Sequence, residues 1–246
     1  MLTGIASVTL RHLPYREVIN IVKSAGLNGI EWSGDVHCQP GDIALAQEIA
    51  TATREAGLKI ISYGSYYHIG SFEDFDGIIR TALTLDVKTI RVWAKGWLPS
   101  KEVSEEDWHN AIKDSKRIAD MAKPHGIDIA YEYHDNTLTD SLETTIRLLN
   151  ETARENIFTY WQPPAGMSVE ENLEVLKTLV SMKKLRNIHV FSHDGDDRKP
   201  LEAKSENWKR YITEARPADP ALLLEFVKDD DPTCLLPDAV FLKTLV

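Results

Sequence analysis

Short apolar runs alternate with longer stretches in which apolar residues return every three or four positions, and the alternation persists to the C-terminal end. The short runs predict strands at Thr3 to Thr9, Gly29 to Trp32, Lys59 to Tyr63, Thr89 to Ala94, Asp128 to Tyr133, Ile157 to Gln162, Asn187 to Ser192 and Ala221 to Val227. Between them, sets such as Val18, Ile19, Val22 and Ala25, or Ile112, Ile118, Ala119 and Ala122, share one helical face and predict amphipathic crossovers. Ser71, Ser104, Asp140 and Ser168 each precede an acid by three residues, as in a capping box, and Pro232 suits a first helical position. Gly26, Gly57 and Gly126 stand between a helix and the next strand, where a left-handed stop is expected.

Eight strand and helix pairs in 246 residues, roughly 31 residues per pair, predict an α/β fold of the (β/α)8 TIM barrel type: a parallel eight-stranded barrel with outer helices. A doubly wound open sheet is the rival, but it would carry a glycine-rich phosphate turn after its first strand, and Thr9 to Pro14 contain no glycine. No linker rich in Pro, Gly or Ser divides residues 1–246, so a single domain is expected.

Composition narrows the function classes. A chain 43% hydrophobic and 27% charged is an ordinary globular protein. Its net charge of −10, with no local basic stripe, disfavours nucleic acid as a partner. No apolar run approaches a membrane span and no charged-then-apolar leader opens the chain, so a cytoplasmic location without membrane association is expected. Cys38 and Cys234 are too few for a framework of disulfides and are expected to be reduced.

In a barrel of this kind the chemistry sits at the C-terminal strand ends. Those ends are acidic and rich in imidazole: Glu31 and Trp32 are followed by Asp35 and His37, the third strand leads to His68, and the fifth carries Glu132 and His134. The sixth ends in Trp161 and Gln162, the seventh holds His189, and the eighth places Glu225 amid Leu224 and Phe226. A carboxylate in such surroundings is costly unless paired or bound to a cation. If strands five to eight lie side by side, Glu132, Gln162, His189 and Glu225 converge as a set for one divalent metal ion with open positions.

With these residues the chain resembles, over its whole length, the xylose isomerase-like TIM barrels. That superfamily, of sugar phosphate isomerase/epimerase and AP endonuclease family 2 type, includes sugar epimerases, hydroxypyruvate isomerase, inosose dehydratase, dehydroshikimate dehydratases and endonuclease IV. In its epimerase branch one divalent cation is held by Glu, Asp, His and Glu after strands five to eight. Glu132, His189 and Glu225 match, at intervals of 30, 27 and 36 residues counted through position 162. Position 162 departs from the pattern, being Gln where the family has Asp. The change takes the ion and its ligands from a net charge of about −1 to about zero, which weakens metal affinity and raises Lewis acidity. Softer matches are Gly29 to Trp32 and His134 to Thr137. The family's His after the sixth strand and Arg after the seventh have no counterpart at the expected places, and His193 and Arg198 are only local substitutes.

The resemblance implies a metal-dependent enzyme (Mn, Mg, Co or Zn), with Glu132 and Glu225 trading a proton next to a carbonyl through an enediolate. Isomerisation or epimerisation of a sugar or polyol is the first expectation. Dehydration on the same metal site is the alternative, with Arg91 and Lys95 available to grip a carboxylate substrate. A metal-free sugar-binding barrel is a third, kept open by Gln162. Endonuclease chemistry would need more His and Asp ligands and a basic surface. Trp32, Tyr66, Trp93 and Trp161 could offer flat faces to a sugar ring, Lys95 could orient a hydroxyl, and Glu31, His37, His68 and His134 could contact the substrate. The acidic run His193 to Asp197 disfavours phosphate, so an unphosphorylated substrate is expected. A homo-oligomer is left open.

Overall fold

The computed structural model describes residues 1–195 and 197–246. Asp196, within the acidic run noted above, lies outside the described residues. Eight parallel strands close a barrel: β1 (Thr3–Ala6), β2 (Gly29–Ser33), β3 (Lys59–His68), β4 (Thr89–Trp93), β5 (Asp128–Glu132), β6 (Ile157–Trp161), β7 (Leu185–Val190) and β8 (Ala221–Leu224), with β8 pairing β1 to close the ring. The crossovers are α1 (Tyr15–Ser24), α2 (Ile43–Glu55), α3 (Asp76–Leu85), α4 (Glu105–Ala122), α5 (Leu142–Thr152), α6 (Val169–Ser181) and α7 (Ser205–Ala215), and α8 (Leu235–Lys243) follows the last strand. The predicted (β/α)8 barrel is the observed fold. No helix among the described residues is long and apolar enough to cross a membrane.

Strand periodicity organises the interior. Alternate residues point to opposite faces, so Ala130 and Glu132, Phe158 and Tyr160, and Ala221 and Leu223 face the barrel axis. The opposite parity faces the helices: Tyr131 bonds Thr152 of α5 at 3.2 Å, and Trp32 donates to Thr53 of α2 at 3.2 Å. The apolar side chains therefore form two clusters, a large one between barrel and helices and a small one inside the barrel built on Ala130, Tyr160, Ala221 and Leu223. The small cluster fills the lower barrel, so inward positions one step further along the strands can carry polar groups.

The strands depart from expectation at their ends, and each departure has a local cause. The first stops at Ala6, because Ser7–Leu10 coil into a 3-10 turn whose Ser7 hydroxyl accepts the Ser33 amide at 2.9 Å. The third runs on to His68 through a register shift between Gly64 and His68, with Tyr66 in the left-handed region at φ 59°. Gln162 and Glu225 lie one residue past the ends of β6 and β8, free of the strand ladder.

The caps follow the predictions in part. Ser104 accepts from Asp107 N, and Ser168 with Glu171 forms a complete capping box. The cap of α5 is Ser141 rather than Asp140, which is taken by the Ser100 amide and hydroxyl instead. Ser71 does not cap α3; Asp74 accepts from the Asp76 and Gly77 amides at that helix start. Pro232 opens a 3-10 turn ahead of α8, capped by Asp231. Cys38 and Cys234 are free thiols.

Gly29 matters for closure rather than for its dihedral angles. A Cβ there would lie 2.3 Å from the Lys59 carbonyl oxygen on β3. Gly29→Ala is expected to destabilise the barrel by about 1–3 kcal/mol, read as a melting temperature lowered by roughly 5 °C; an unchanged value would show that β2 and β3 can part without cost.

Candidate functional site

Above the small apolar cluster, the inward positions turn polar. Glu31, Arg91, Glu132 and His189 come from β2, β4, β5 and β7, and Gln162 and Glu225 continue the inward parity just beyond β6 and β8. All six are buried, with His189 fully so. The ladder sets their level: Leu223 of β8 pairs with His189, which brings Glu225 up beside the imidazole.

His189 is the hub. Its Nδ1 lies 3.2 Å from Glu225 Oε2, 3.3 Å from Glu132 Oε1 and 3.3 Å from Gln162 Oε1. On its far side Nε2 is 3.5 Å from Glu31 Oε1. The Gln162 amide nitrogen is 3.5 Å from Glu132 Oε1. Tyr160 meets the imidazole edge to face, with ring centres 5.3 Å apart.

Arg91 holds the carboxylates apart. Its Nε donates to Glu31 Oε1 at 2.9 Å, its Nη1 pairs with Glu132 Oε2, and Ser62 donates to the other Glu31 oxygen at 2.7 Å. Gly64 leaves room for this guanidinium, since a Cβ there would come within 2.7 Å of Nη2. Burial alone would raise the Glu132 carboxyl, but Arg91 and His189 hold it down at about 2. Glu31 is lowered in the same way, against its burial, by Arg91, His189 and Ser62. For His189, burial would lower the imidazole, yet the Glu225, Glu132 and Glu31 carboxylates draw it well above its ordinary range.

Glu31 and Arg91 cancel, which leaves Glu132 and Glu225 with a charge of −2 around a neutral imidazole, and a divalent cation balances it. The donor geometry fits as well. Ligand atoms bound to one ion at about 2.0–2.2 Å stand roughly 3.0–3.5 Å apart, and the contacts of His189 Nδ1 with the three oxygens lie within that spread. Glu132, His189 and Glu225 each offer a donor atom within 4.8 Å of the others. Gln162 adds a neutral oxygen to the same cluster.

A cavity of about 400 Å³ opens onto this cluster, with Gln162 and Glu225 in its wall and Phe191, Trp208 and Tyr211 along one side. His134 and His193 also line it. The remaining sequence candidates divide by strand parity. Trp93 is buried against His68 and His134, its ring 5.9 Å and 4.7 Å from theirs, and of the three only His134 lines the cavity. Trp32 and Trp161 do not reach the cavity: both are fully buried on the outer face, Trp32 against α2 and Trp161 between Trp208 and Tyr211 of α7. Their parity is one residue off that of Glu31 and Gln162, which turns them away from the axis.

His37 is also displaced from the expected substrate role, since its Nδ1 meets Ser7 and its Nε2 the Leu13 carbonyl, each at 3.0 Å. Lys95 is paired with Asp107 at 2.8 Å. Glu31 lies under the cluster, sealed by Arg91 and Ser62, so neither it nor Arg91 faces the cavity to grip a substrate carboxylate. Arg198 pairs with Asp230 and lies over the Phe226 ring at 4.1 Å, beside Glu225. Sequence reasoning missed the Arg91 clamp and Ser62. The signal was available: an arginine at inward parity inside an apolar strand has to find buried carboxylates.

The xylose isomerase-like TIM barrel family model matches residues 19–220. Among curated proteins, a 3-dehydroshikimate dehydratase of Bacillus anthracis is 27% identical over 169 residues, 63% of this chain, and the chain spans only 59% of that protein's length. Among solved structures, the probable 3-DHS dehydratase involved in petrobactin synthesis from Bacillus anthracis superposes with a TM-score of 0.78 at 18% identity, covering 99% of each chain. The 3-keto-D-glucoside 4-epimerase from E. coli gives 0.76 at 15% identity, also covering 99% of each. At these identities the structural likeness establishes the fold.

Removing the Arg91 guanidinium leaves two buried carboxylates unpaired, so Arg91→Leu is expected to cost about 3–5 kcal/mol in chemical denaturation at neutral pH. The depressed Glu132 carboxyl contributes stability that is complete above its ordinary value of 4.5 and is lost as the pH falls toward about 2. Across that window the wild type should lose more stability than Arg91→Leu, and equal losses would remove Arg91 from this role.

Proposed function

The chain belongs to the xylose isomerase-like TIM barrel family, and we propose that it is a divalent-metal-dependent isomerase or epimerase of an unphosphorylated sugar or polyol. The observation that carries the reading is the buried set of Glu132, Gln162, His189 and Glu225, of which Gln162 and Glu225 line a cavity large enough for a small polar substrate. A bound cation, of the Mn, Mg, Co or Zn class, supplies electrophilic charge to an adjacent hydroxyl and carbonyl pair.

The protein groups do the rest. Glu132 is kept ionised by Arg91, and Glu225 stands in the cavity wall on the other side of His189 Nδ1. Two carboxylates so placed can remove the proton next to a carbonyl and return it, to the other face of the same carbon in epimerisation or to the neighbouring carbon in isomerisation. His134 at the cavity wall, its ring packed edge-on against the buried Trp93, offers a hydrogen-bonding edge to the substrate. Asp135 and Asp194 line the same cavity, against one lysine, Lys204, and this balance favours an unphosphorylated substrate.

A second reading, dehydration by the same proton abstraction followed by loss of a β-hydroxyl, is supported by the 3-dehydroshikimate dehydratase relative. The placement of Arg91 counts against it, because that guanidinium is committed to Glu31 and Glu132.

Elemental analysis of purified protein is expected to find near-stoichiometric metal in wild type and a sharp fall in Glu225→Gln, with the melting temperature lowered by chelation and restored by the metal. Proton NMR in deuterated water then separates the chemistries. Exchange of the proton next to the carbonyl of a ketose supports the isomerase, and loss of water from 3-dehydroshikimate supports the lyase. Protein without metal and without stabilisation by added cations would leave a sugar-binding barrel.

A further inference from the structure

The cavity beside the cluster is polar on one side and apolar on another. Past the end of β5, His134 engages one ring nitrogen with the Asp135 carbonyl at 2.8 Å and presents the second to a ligand hydroxyl, with Asp135 next to it in the wall. The segments after β6, β7 and β8 build a different surface. Phe191 stands two residues past His189, so it keeps the inward parity one step above the imidazole, and it lines the cavity half-buried. Pro163 and Pro164 follow Gln162 in the cavity wall and have no amide N–H to offer.

Phe226 follows Glu225, and strict alternation would turn it outward. It lines the cavity instead, from a backbone in the left-handed region at φ 60°, where a bulky residue is strained. The Phe226 amide donates to Thr9 Oγ1 at 2.9 Å and the Arg198 guanidinium lies 4.1 Å from the ring centre, so the ring is held in place. Each segment that delivers a donor from β6, β7 or β8 thus continues into an apolar residue of the cavity wall.

Polar atoms along this side are occupied or sealed. Trp208 Nε1 donates to the Phe191 carbonyl at 2.9 Å, and Asn172 Nδ2 donates to the Ser168 and Met167 carbonyls at 2.9 and 3.3 Å. Asn172 Oδ1 and Ser192 Oγ are buried out of reach of solvent. Asp194, Lys204 and Asn207 also line the cavity, but they come from the loop after β7 and the start of α7, further along the chain than Phe191. A hydroxyl set against Phe191, Phe226 and the two prolines would leave water without gaining a partner, whereas a methyl group there gains by burial.

We propose that this wall selects a deoxy ketose, a sugar whose carbonyl and adjacent hydroxyl lie at the Glu132, His189 and Glu225 cluster and whose terminal methyl group packs on Phe191 and Phe226. The inference rests on the sugar-isomerase reading above and names the substrate class within it.

The test is equilibrium binding by calorimetry to the Mn-loaded 246-residue chain, using ketoses in pairs that differ only at the terminal carbon: D-fructose with 6-deoxy-D-fructose, L-fructose with 6-deoxy-L-fructose, and L-tagatose with 6-deoxy-L-tagatose. In at least one pair the deoxy sugar is expected to bind wild type about tenfold tighter than its parent. Phe191→Asn and Phe226→Asn should each abolish that difference. Asparagine tolerates the left-handed backbone, so Phe226→Asn keeps the fold even where Phe191→Asn loses it. If the members of every pair bind alike, or if the preference survives either substitution, the proposal is overturned while the sugar reading stands. If no ketose of either kind binds, the sugar reading itself falls and this inference with it.

Discussion

Three carboxylates, Glu31, Glu132 and Glu225, converge in the barrel interior around the fully buried His189. Left to themselves they would repel one another and take up protons, and the barrel would not tolerate them. Arg91 relieves the first part of this conflict by bridging Glu31 and Glu132 from below, in a space that the missing side chain of Gly64 keeps open. The second part, the remaining charge of Glu132 and Glu225 beside a neutral imidazole, is relieved by whatever cation the cluster takes up, a proton on His189 or a divalent metal. The site is built so that its most comfortable state is a loaded one.

Gln162 takes on meaning in this light. An aspartate at that position would add another negative charge to a cluster already brought to balance by one divalent ion. The amide supplies an oxygen 3.3 Å from His189 Nδ1 without that charge and turns its nitrogen toward Glu132. The departure from the epimerase ligand set is thus compatible with a working cation site of weaker affinity and stronger polarising power. The cavity beside it is walled on one side by residues of α7 and also reaches His134, whose ring packs against Trp93.

Much of this was legible in the residues. Alternating apolar runs and helical stripes specify eight units, and eight units of about 31 residues close as a barrel because each crossover packs its apolar stripe on the sheet. The parity of a strand then names its inward side chains and groups Glu132, His189 and Glu225. The same rule, applied strictly, would have turned Trp32 and Trp161 outward and Arg91 inward.

Local pattern and spacing determined the barrel, the level of the chemistry on it and the types of donor at its centre, since these depend on periods of two and of about four residues along one strand or helix. Other features waited for the folded chain. That Arg91 reaches Glu31 and Glu132, that Ser7 diverts the first strand and pins His37, and that Trp97 is held out in solvent are contacts between segments distant in sequence or the result of a loop's path. Their energies come from burial and distance, which no single stretch of sequence contains, and they set which charges survive in the interior and which rings are left in solvent.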